Sequence, residues 1–505
     1  MSNSVSRRDF AIGAAAGIGA LAGCAGPLTS SVPQGLAEHD LAAGHDVADA
    51  NGVYDCVVVG AGAAGIAAAR GVLAAKRRVL VLEAQPYIGG RCRSDTSLGV
   101  AYDSGAQFMA EAQSLNTTLY PLAVQLGIPM IPGETVARGF FNAATGTLSP
   151  NHLTNEFYAT FAAANAAVQA TGLDITLGGK DRSIAAVMRQ AGLTDAPYIN
   201  LAYQFLMRVF DGGTPETQST LDLFNEIEFV PAPFIFPPND SLYMPNGYGT
   251  FLAGLAKGLP IRTNSPVKKI DYHGANVVLT LASGQTVTAK TAIVTASINV
   301  LKDSIMKFTP VLPASHRKAL SGMTMGHAYK TMLQFKGKPF NGSKLKNPKN
   351  QTFTSIPLVN QSTATYIVNY FAESYNLPGS YMMVIAEGEE AVAFEKMTPQ
   401  QVGQTLCGRI ETTYPGVTAA WTGGILTSNW ATNPYTQGCL AYATPGNAGA
   451  RVELGKSIDQ KLWFAGEAIS VHQHATVNGA WASGTEAAYA AMAAIGAVGK
   501  LRHHA

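Results

Sequence analysis

Residues 55–65 read Asp-Cys-Val-Val-Val-Gly-Ala-Gly-Ala-Ala-Gly, and this stretch decides the fold. The apolar, β-branched run before Gly60 predicts a strand, and the alanine-rich residues 66–70 predict a helix. Gly60 permits a tight turn, Gly62 lets the backbone approach a pyrophosphate, and Gly65 lets the helix pack on the strand. The helix N-terminus offers amides to phosphate oxygens. The stretch therefore predicts a strand–turn–helix unit that binds a dinucleotide.

Glu83 closes a second apolar run, 78–82, about twenty residues after the glycines, where dinucleotide-binding folds place an acidic residue. Its carboxylate can accept hydrogen bonds from a ribose diol, and it would repel a ribose phosphate. A glycine turn alone is a weak signal, because small-residue turns often precede helices. Here the strand, the helix and the acidic residue occur together. The sequence therefore predicts an α/β, Rossmann-like domain and disfavours NADP.

A second glycine pair follows in residues 89–94, Gly-Gly-Arg-Cys-Arg-Ser. Its two guanidinium groups can supply fixed donors to phosphate oxygens, and plain NAD dehydrogenases do not usually carry this arrangement. From here the chain resembles the flavin amine oxidase family, which includes monoamine, polyamine and L-amino acid oxidases. The resemblance covers about residues 54–495 and rests on an ordered series of further motifs. These are Asp-Ser-Gly-Ala-Gln at 103–107, Pro-Asn-Gly-Tyr-Gly-Thr-Phe-Leu at 245–252, Val-Lys-Lys-Ile at 267–270, Trp430 with Pro434, Tyr435 and Gly438, Phe-Ala-Gly-Glu at 464–467, and Asn-Gly-Ala-Trp-Ala-Ser-Gly at 478–484.

The resemblance implies the two-domain architecture of amine oxidases, in which a Rossmann-like FAD-binding domain joins a discontinuous α+β substrate-binding domain. Residue patterns predict helices in 155–163 and 181–188 and strands in 276–281 and 291–296. A strand-rich stretch, 327–425, is expected to form the sheet beneath the substrate pocket. We assign 1–50 to a signal and linker, 51–107, 245–310 and 440–505 to the FAD-binding domain, and 108–244 and 311–439 to the substrate-binding domain.

The N-terminal residues resemble an export signal. Ser-Arg-Arg-Asp-Phe at 6–10 precedes an apolar run, 11–22, in the manner of a twin-arginine signal, which sends folded proteins to the periplasm. The run is too short to span a bilayer as a permanent helix. Residues 21–24, Leu-Ala-Gly-Cys, also resemble a lipoprotein processing box. Either Cys24 becomes a lipid anchor, or the segment is a small-residue cleavage region that contains a cysteine.

The composition limits the classes of partner that the protein is expected to bind. Of the 505 residues, 47% are hydrophobic, which is ample for the cores of two or three domains. The formal net charge is +2 and no basic stripe occurs, so no nucleic-acid partner is expected. His472 and His474 form a His-x-His pair, but without a third ligand at recognisable spacing we expect a loop beside the cofactor and no metal site. A homodimer is a candidate assembly.

The cofactor that the resemblance implies is FAD. Gly466 and Glu467 are expected at its ribityl and phosphate region, and Thr476 and Val477 at its isoalloxazine end. A helix N-terminus at that end stabilises negative charge on the reduced flavin. The full set of expected cofactor residues is Gly60, Gly62, Ala63, Ala64, Gly65, Glu83, Ala84, Gly90, Arg91, Gln107, Val267, Gly466, Glu467, Thr476 and Val477.

Cys439 follows Gly438, at the place where monoamine oxidases attach flavin through a cysteine sulfur. One interpretation is that this thiol tethers FAD covalently. Other branches of the family have a small non-cysteine residue here and hold FAD without a covalent bond. The second interpretation is therefore that Cys439 is a small buried hydrophobe.

Lys330 is the candidate catalytic residue. The segment 326–335 resembles the strand that carries the family's active-site lysine, which holds a water beside flavin N5 and assists the reaction of reduced flavin with oxygen. Strand alternation turns Lys330 toward one face among mostly apolar neighbours, and a buried ammonium needs partners. The alternative is a surface lysine that snorkels from an edge strand.

The expected substrate pocket departs from the family pattern at three positions. The paired aromatic positions of many members fall on Leu440 and Thr476, and neither is aromatic. This predicts a reshaped pocket for a bulkier, cyclic or secondary amine. One branch of L-amino acid oxidases has a carboxylate-binding arginine where this chain has Phe108. An apolar ring cannot supply the two parallel hydrogen bonds that an arginine guanidinium donates to a carboxylate. Amines are therefore favoured over α-amino acids as substrates, unless another arginine, such as Arg208, takes that place.

The implied function is that of an exported FAD-dependent amine oxidase or dehydrogenase. Such an enzyme oxidises a C–N bond of a small amine to an imine, which is hydrolysed to a carbonyl compound. Dioxygen, reduced to hydrogen peroxide, or a redox protein would be the electron acceptor. The alternatives are an L-amino acid oxidase and a periplasmic flavoprotein that is noncatalytic or carries electrons.

Overall fold

The computed structural model describes residues 52–109, 118–132, 140–142, 147–149, 155–196, 199–203, 212–227, 242–340, 355–359, 367–369, 379–411 and 414–497. The export signal, Cys24 and Arg208 lie outside these residues. The strands, numbered along the chain, are β1 Val53–Val59, β2 Val79–Leu82, β3 Ser94–Asp95, β4 Tyr102–Asp103, β5 Phe108–Met109, β6 Ile131–Pro132, β7 Phe140–Asn142, β8 Thr147–Ser149, β9 Leu242–Tyr243, β10 Ile261–Arg262, β11 Val267–Asp271, β12 Val277–Leu281, β13 Thr286–Val294, β14 Lys307–Thr309, β15 Met323–Met325, β16 Ala328–Phe335, β17 Ser355–Val359, β18 Ile367–Asn369, β19 Ser380–Glu387, β20 Trp421–Thr427, β21 Ala441–Ala443 and β22 Leu462–Phe464.

The helices of the described residues complete the element order. Those predicted in 155–163 and 181–188 are present as the third and fourth. The α-helices are α1 Ala63–Ala74, α2 Leu119–Gln125, α3 Asn155–Thr176, α4 Ile184–Gln190, α5 Ile199–Tyr203, α6 Thr220–Ile227, α7 Tyr248–Ala256, α8 Ile298–Lys302, α9 Ala314–Ser321, α10 Gly388–Glu395, α11 Pro399–Ile410, α12 Val417–Ala420, α13 Ala450–Leu454 and α14 Val477–Ala494, with a 3₁₀ helix at Glu467–Ile469.

The first sheet has the strand order β10-β2-β1-β13-β12-β11-β14, and β22 also pairs with β13. β10, β2, β1, β13 and β22 pair in parallel, whereas β12 is antiparallel to both of its neighbours. Alternate residues of β1 enter different cores: Cys56 and Val58 pack with α1, α7 and α14, and Val57 and Val59 pack with α8, α9 and α13. Burial on both faces explains why the run is continuously apolar. The strand–turn–helix prediction is confirmed.

The second sheet has the order β20-β16-β19-β18-β17-β7-β8. On one face Tyr329, Leu333 and Phe335 of β16 pack with α10 and α11. On the other face Met332 packs in a smaller cluster with Tyr102. The expected strand-rich stretch, 327–425, supplies β16–β20. It also contains α10 and α11, two helices that were not distinguished from the strands in the sequence. Because β16 lies between β19 and β20, Lys330 is not on an edge strand.

Short pairings connect the parts. β15 pairs with β21, and this is the described strand pair that crosses the proposed domain limits, because it joins 323–325 to 441–443. Together the sheets confirm the α/β class with a parallel-strand sheet, while the limits of the two domains stay a prediction. No helix within the described ranges combines the length and the apolar character that a membrane crossing requires.

Candidate functional site

The first glycine turn is sterically closed. Gly60, the residue after β1, has φ +104°, a conformation that L residues rarely adopt. A Cβ on Gly65 would lie 1.9 Å from the Gly60 carbonyl oxygen, so no side chain fits there. Gly62 is the N-cap of α1, and Ala63 and Ala64 begin that helix in buried positions. The turn therefore presents backbone groups at a helix N-terminus, as the sequence predicted.

The second glycine turn packs on the first. The Gly89 amide donates to the Ala61 carbonyl at 2.8 Å. Gly90 has φ +56°, and a Cβ there would lie 3.3 Å from Gly62 Cα. Two turns that are about thirty residues apart in sequence thus form one cradle of bare backbone, a surface that a phosphate group can approach closely.

Glu83 is buried at the end of β2 and bonds to the backbone. Its Oε2 accepts from the Ala61 amide at 2.7 Å, and its Oε1 accepts from the Gln85 amide at 2.8 Å. Burial raises the pKa of Glu83, and these backbone bonds oppose the rise. Besides the expected ribose contact, this carboxylate therefore holds the glycine turn in place. Ala84, next to it, is half-buried, and Val267 is buried in β11.

Arg91 forms an ion pair with Glu467. Its Nη1 lies 2.8 Å from Glu467 Oε1, and the same nitrogen donates to the Cys439 carbonyl oxygen at 2.5 Å. Glu467 is buried and also accepts from the amides of Ala441, at 3.2 Å, and Ala475, at 3.0 Å. The structure thus brings together four segments expected at the site, those of Arg91, Cys439, Glu467 and Thr476. Arg91 and Glu467 bind each other here, so a phosphate contact by Arg91 stays a prediction.

Lys330 is buried, with 6% of its surface exposed. Its Nζ donates to the carbonyl oxygens of Asp103, at 2.8 Å, and Gly105, at 2.7 Å. Burial lowers the pKa of the Lys330 ammonium to about 8, and the neighbouring Asp103 charge opposes this effect. The snorkelling alternative does not fit a buried ammonium whose partners are two carbonyl groups.

The segment 103–107 is held from several sides. The Trp430 indole Nε1 donates to the Ser104 carbonyl at 2.7 Å, between the two carbonyls that Lys330 binds. The Asp103 carboxylate accepts from the Tyr248 amide, at 2.9 Å, at the start of α7. Burial raises the pKa of Asp103 to about 6, opposed by Lys330. Sequence reasoning missed this use of Asp103, although its motif and that of α7 were both recognised.

Gln107 has a buried amide without a partner. The side chain belongs to a residue that is 4% exposed, and neither Nε2 nor Oε1 has a hydrogen-bond partner within the described part of the chain. A buried amide normally makes hydrogen bonds, because leaving its donors and acceptors unmet is unfavourable. The amide is therefore available to a bound group.

The last expected segment is the N-terminus of α14. Thr476 is its N-cap, and its Oγ1 accepts from the Gly479 amide at 3.0 Å. A Cβ on Gly484 would lie 2.1 Å from the Ala64 carbonyl oxygen, so α14 crosses α1 in direct backbone contact. Val477 packs at the edge of the same core, and Trp481 is buried in it. This crossing places the end of α14 relative to the glycine turn.

The expected pocket residues are partly accessible. Phe108, Leu440 and Thr476 are each half-buried. The Phe108 ring lies 6.1 Å from that of Tyr243, centroid to centroid. Burial raises the pKa of the neighbouring Cys439 thiol to about 12, and Cys439 forms no disulfide with the other described cysteines. No group of three His, Cys, Asp or Glu side chains in the described ranges could hold a metal ion.

Comparison with known proteins places this architecture. Residues 63–492 match the family model of flavin containing amine oxidoreductases. The chain belongs to this family. It is 28% identical over 450 residues to polyamine oxidase 3 of Oryza sativa subsp. japonica, covering 86% of this chain and 88% of that protein. It is also 28% identical over 455 residues to the mouse (Mus musculus) lysine-specific histone demethylase 1B, where it covers 86% of this chain and spans about half, 52%, of the relative.

The fold is shared with a solved amine oxidase. The cyclohexylamine oxidase of Brevibacterium oxydans IH-35A superposes with a TM-score of 0.73 at 18% identity, over 88% of this chain and 100% of that chain. Family membership makes this protein an FAD-dependent oxidoreductase acting on amines. The residues fit the cofactor: the unpartnered Gln107 amide and the bare Gly62–Gly90 cradle are features that FAD would occupy.

The sequence did not reveal one buried charged cluster of this protein. Asp222 and Glu226 of α6 meet Arg451 of α13 and His474 in the loop before α14. Their separation along the chain left no local pattern to detect. For His474, only the His-x-His pair was recognised, and it predicted a loop beside the cofactor.

Proposed function

We propose that the protein is an exported amine oxidase, or the corresponding dehydrogenase, that converts a C–N bond of a small amine to an imine. Water then hydrolyses the imine to a carbonyl compound and releases the nitrogen as an amine or ammonia. With dioxygen as acceptor, the two electrons and two protons taken from the amine leave as hydrogen peroxide. The proposal rests on one segment, residues 103–107: its Asp103 and Gly105 carbonyls hold the buried Lys330 ammonium, and its Gln107 amide is buried without a partner among the described residues.

FAD, when bound, supplies the acceptor for the hydride equivalent of the amine carbon. The glycine cradle and Glu83 would hold its dinucleotide part, and Gln107 and the N-terminus of α14 would hold its flavin end. The chain's own contribution is to orient the amine, exclude water and fix charge. Lys330 carries one positive charge below a pH of about 8 at a place fixed by two carbonyl groups. That charge would favour the arrival of electrons on dioxygen.

The substrate we propose is an amine rather than an amino acid. Phe108 offers a ring and no guanidinium, and it packs beside Tyr243. Leu440 and Thr476 leave out the two aromatic rings, which makes room for a bulkier, cyclic or secondary amine. The relatives support the amine class, since one is a polyamine oxidase and the shared fold is that of a cyclohexylamine oxidase.

Export and anchoring are part of the proposal. The twin-arginine residues 6–10 support a periplasmic location, and Cys24 supports a lipid anchor on the mature protein. Mass spectrometry of the mature N-terminus from a bacterial membrane fraction tests both. A diacylglyceryl modification on Cys24 supports the anchor, and cleavage elsewhere without lipid contradicts it.

The deciding experiment is anaerobic bleaching of the flavin absorption band. Purified protein is mixed separately with pools of primary amines, secondary or cyclic amines, and L-amino acids. We expect bleaching by an amine pool, and recovery of the band on admission of air identifies an oxidase. Bleaching only by amino acids would replace this proposal with an L-amino acid oxidase. No bleaching by any pool, with reduction by a redox protein, would replace it with an electron-carrying flavoprotein.

A further inference from the structure

The buried charged cluster has a central ion pair. Asp222 is 1% exposed and Arg451 is fully buried. The pair is bidentate, with Arg451 Nε 2.7 Å from Asp222 Oδ1 and Nη2 2.8 Å from Oδ2. Burial alone would raise the pKa of Asp222, but Arg451 outweighs it and holds that pKa at about 2. Replacing such a pair by apolar residues is often neutral for stability, so stability alone does not account for it.

The pair is bonded to β21, the strand that follows Leu440. We call Leu440 and Thr476 the two walls of the expected pocket. Arg451 Nη2 donates to the Ala441 carbonyl at 2.9 Å, and Asp222 Oδ2 accepts from the Ala443 amide at 2.8 Å. Both ends of β21 are thus fixed to the ion pair. Leu440, one of the two positions where many family members carry an aromatic ring, immediately precedes β21.

The second half of the cluster lies against the loop that carries Thr476, the other wall of the expected pocket. His474 is fully buried, and its Nε2 lies 3.2 Å from Glu226 Oε2 and 4.0 Å from Asp222 Oδ2. On the opposite side of the ring, Nδ1 lies 3.1 Å from the Val471 carbonyl oxygen. Two residues after His474 is Thr476, the second of those positions and the N-cap of α14.

One helix therefore holds both walls. Asp222 and Glu226 are four residues apart on α6, which places their side chains on the same face. A further bond ties this helix to the loop, since His472 Nδ1 lies 3.1 Å from the Asn225 carbonyl oxygen. The walls come from chain segments about thirty-five residues apart. Both segments also bond to Glu467, which accepts from the Ala441 and Ala475 amides, so α6 and Glu467 together set their separation.

We propose that Asp222 and His474 are positioning residues that fix the pocket walls Leu440 and Thr476 against α6, and so orient the amine. This inference rests on the proposed function. Neither residue need touch the substrate, because each acts through backbone: Asp222 through β21 and His474 through the loop before α14. A displacement of about 1 Å at a reacting centre can slow a reaction by about 100-fold.

The test compares Asp222→Asn and His474→Gln in the full-length, FAD-loaded protein. Asp222→Asn removes the charge at constant size, and His474→Gln leaves the Asp222–Arg451 pair intact. We expect both variants to slow flavin reduction by saturating amine at least 10-fold. We also expect hydrogen exchange to speed up at least 10-fold in 440–443 and in 470–477, whereas a merely stabilising cluster would change Tm without these two effects.

The matched control is Glu390→Gln. Glu390 of α10 is a half-buried carboxylate that pairs with Arg409 of α11, and neither helix belongs to the expected cofactor or substrate site. We expect this control to lower Tm and leave the flavin reduction rate and both exchange regions unchanged. A paired replacement, Asp222→Leu with Arg451→Met, removes both charges without leaving one unpaired. If Asp222→Asn does not fold, this double variant takes its place and should show the same slower reduction and faster exchange.

The outcomes separate cleanly. Wild-type reduction rates with unchanged exchange in His474→Gln and in the foldable Asp222 variant would overturn the positioning role. If no amine reduces the wild-type flavin, the proposed function fails, but hydrogen exchange still decides whether the cluster holds both wall segments. Faster exchange confined to α6 would overturn the inference.

Discussion

Replacing Lys330 by methionine should slow the reaction with oxygen about 100- to 1,000-fold while changing the free energy of unfolding by no more than about 3 kcal/mol. Methionine keeps the length of the side chain and removes its charge. In the structure that charge lies on Nζ, which is 2.8 Å from the Asp103 carbonyl oxygen and 2.7 Å from that of Gly105. The two consequences, on stability and on rate, have different sizes because they depend on different properties of the ammonium.

The effect on stability is a difference between two opposing terms. Burial moves the pKa of Lys330 from 10.5 to about 8, which disfavours the charged form by about 3 kcal/mol. Methionine removes this penalty, but it leaves two carbonyl groups without a donor, at about 1–3 kcal/mol each. The two carbonyls together cost about 2–6 kcal/mol against about 3 kcal/mol regained, so the free energy of unfolding should change by no more than about 3 kcal/mol. Loss of one preorganised group at the reacting centre slows a reaction by about 100- to 1,000-fold.

The assay is stopped-flow reoxidation. Enzyme reduced anaerobically with amine is mixed with air-saturated buffer, and the return of the flavin band gives the rate with oxygen. Lys461→Met is the matched control, because Lys461 Nζ also donates to two backbone carbonyls, of Tyr272 and Gly274, on the first sheet. A folded, flavin-loaded Lys330→Met protein that reoxidises within threefold of wild type would refute the assigned role of the charge.

The pH dependence adds a signed test. Lys330 is charged below a pH of about 8, so the wild-type reoxidation rate should fall as pH rises through 8, and the Met variant should show no such step. For stability the unfolded lysine binds its proton up to pH 10.5, so the unfolded state holds more protons between about 8 and 10.5. Wild-type stability should therefore gain from rising pH in that window, and Lys330→Met should lose this gain.

Three further results are expected. Gly65→Ala should prevent folding into a flavin-binding state, since its Cβ would lie 1.9 Å from the Gly60 carbonyl oxygen. The control Gly408→Ala, in open space on α11, should raise stability by about 0.5–1 kcal/mol, and equal Tm values for the two variants would contradict the steric argument. Glu83→Gln should weaken FAD binding about 10- to 100-fold, because the single oxygen of a glutamine side chain cannot accept from both backbone N–H groups, of Ala61 and Gln85, that Glu83 binds. Flavin titration of the apoprotein measures the affinity, and wild-type affinity would argue against a role of Glu83 in the cofactor site. Acid precipitation should release the flavin from wild type and from Cys439→Ala alike, because a thiol with its pKa raised to about 12 supplies little thiolate, whereas flavin retained only by wild type would establish the covalent tether.

The cofactor half of the site was readable from local sequence. A turn that needs φ of +104° at Gly60, a helix that starts at once, and Glu83 after the next strand are each set by neighbours in the chain. Family resemblance extended this to Lys330, and the structure buries that residue on an interior strand. By contrast, α10 and α11 were not separated from the strand-rich stretch around them.

The sequence by itself determined the dinucleotide unit, the α/β class and the amine oxidase family, because these depend on short motifs whose meaning is local. Only the tertiary structure decided which partners the charged groups take. Arg91 meets Glu467, and Asp222 meets Arg451 across 229 positions of the chain. No periodicity encodes such a pairing, because burial makes an unpaired charge unfavourable and the fold alone determines which opposite charge lies within reach.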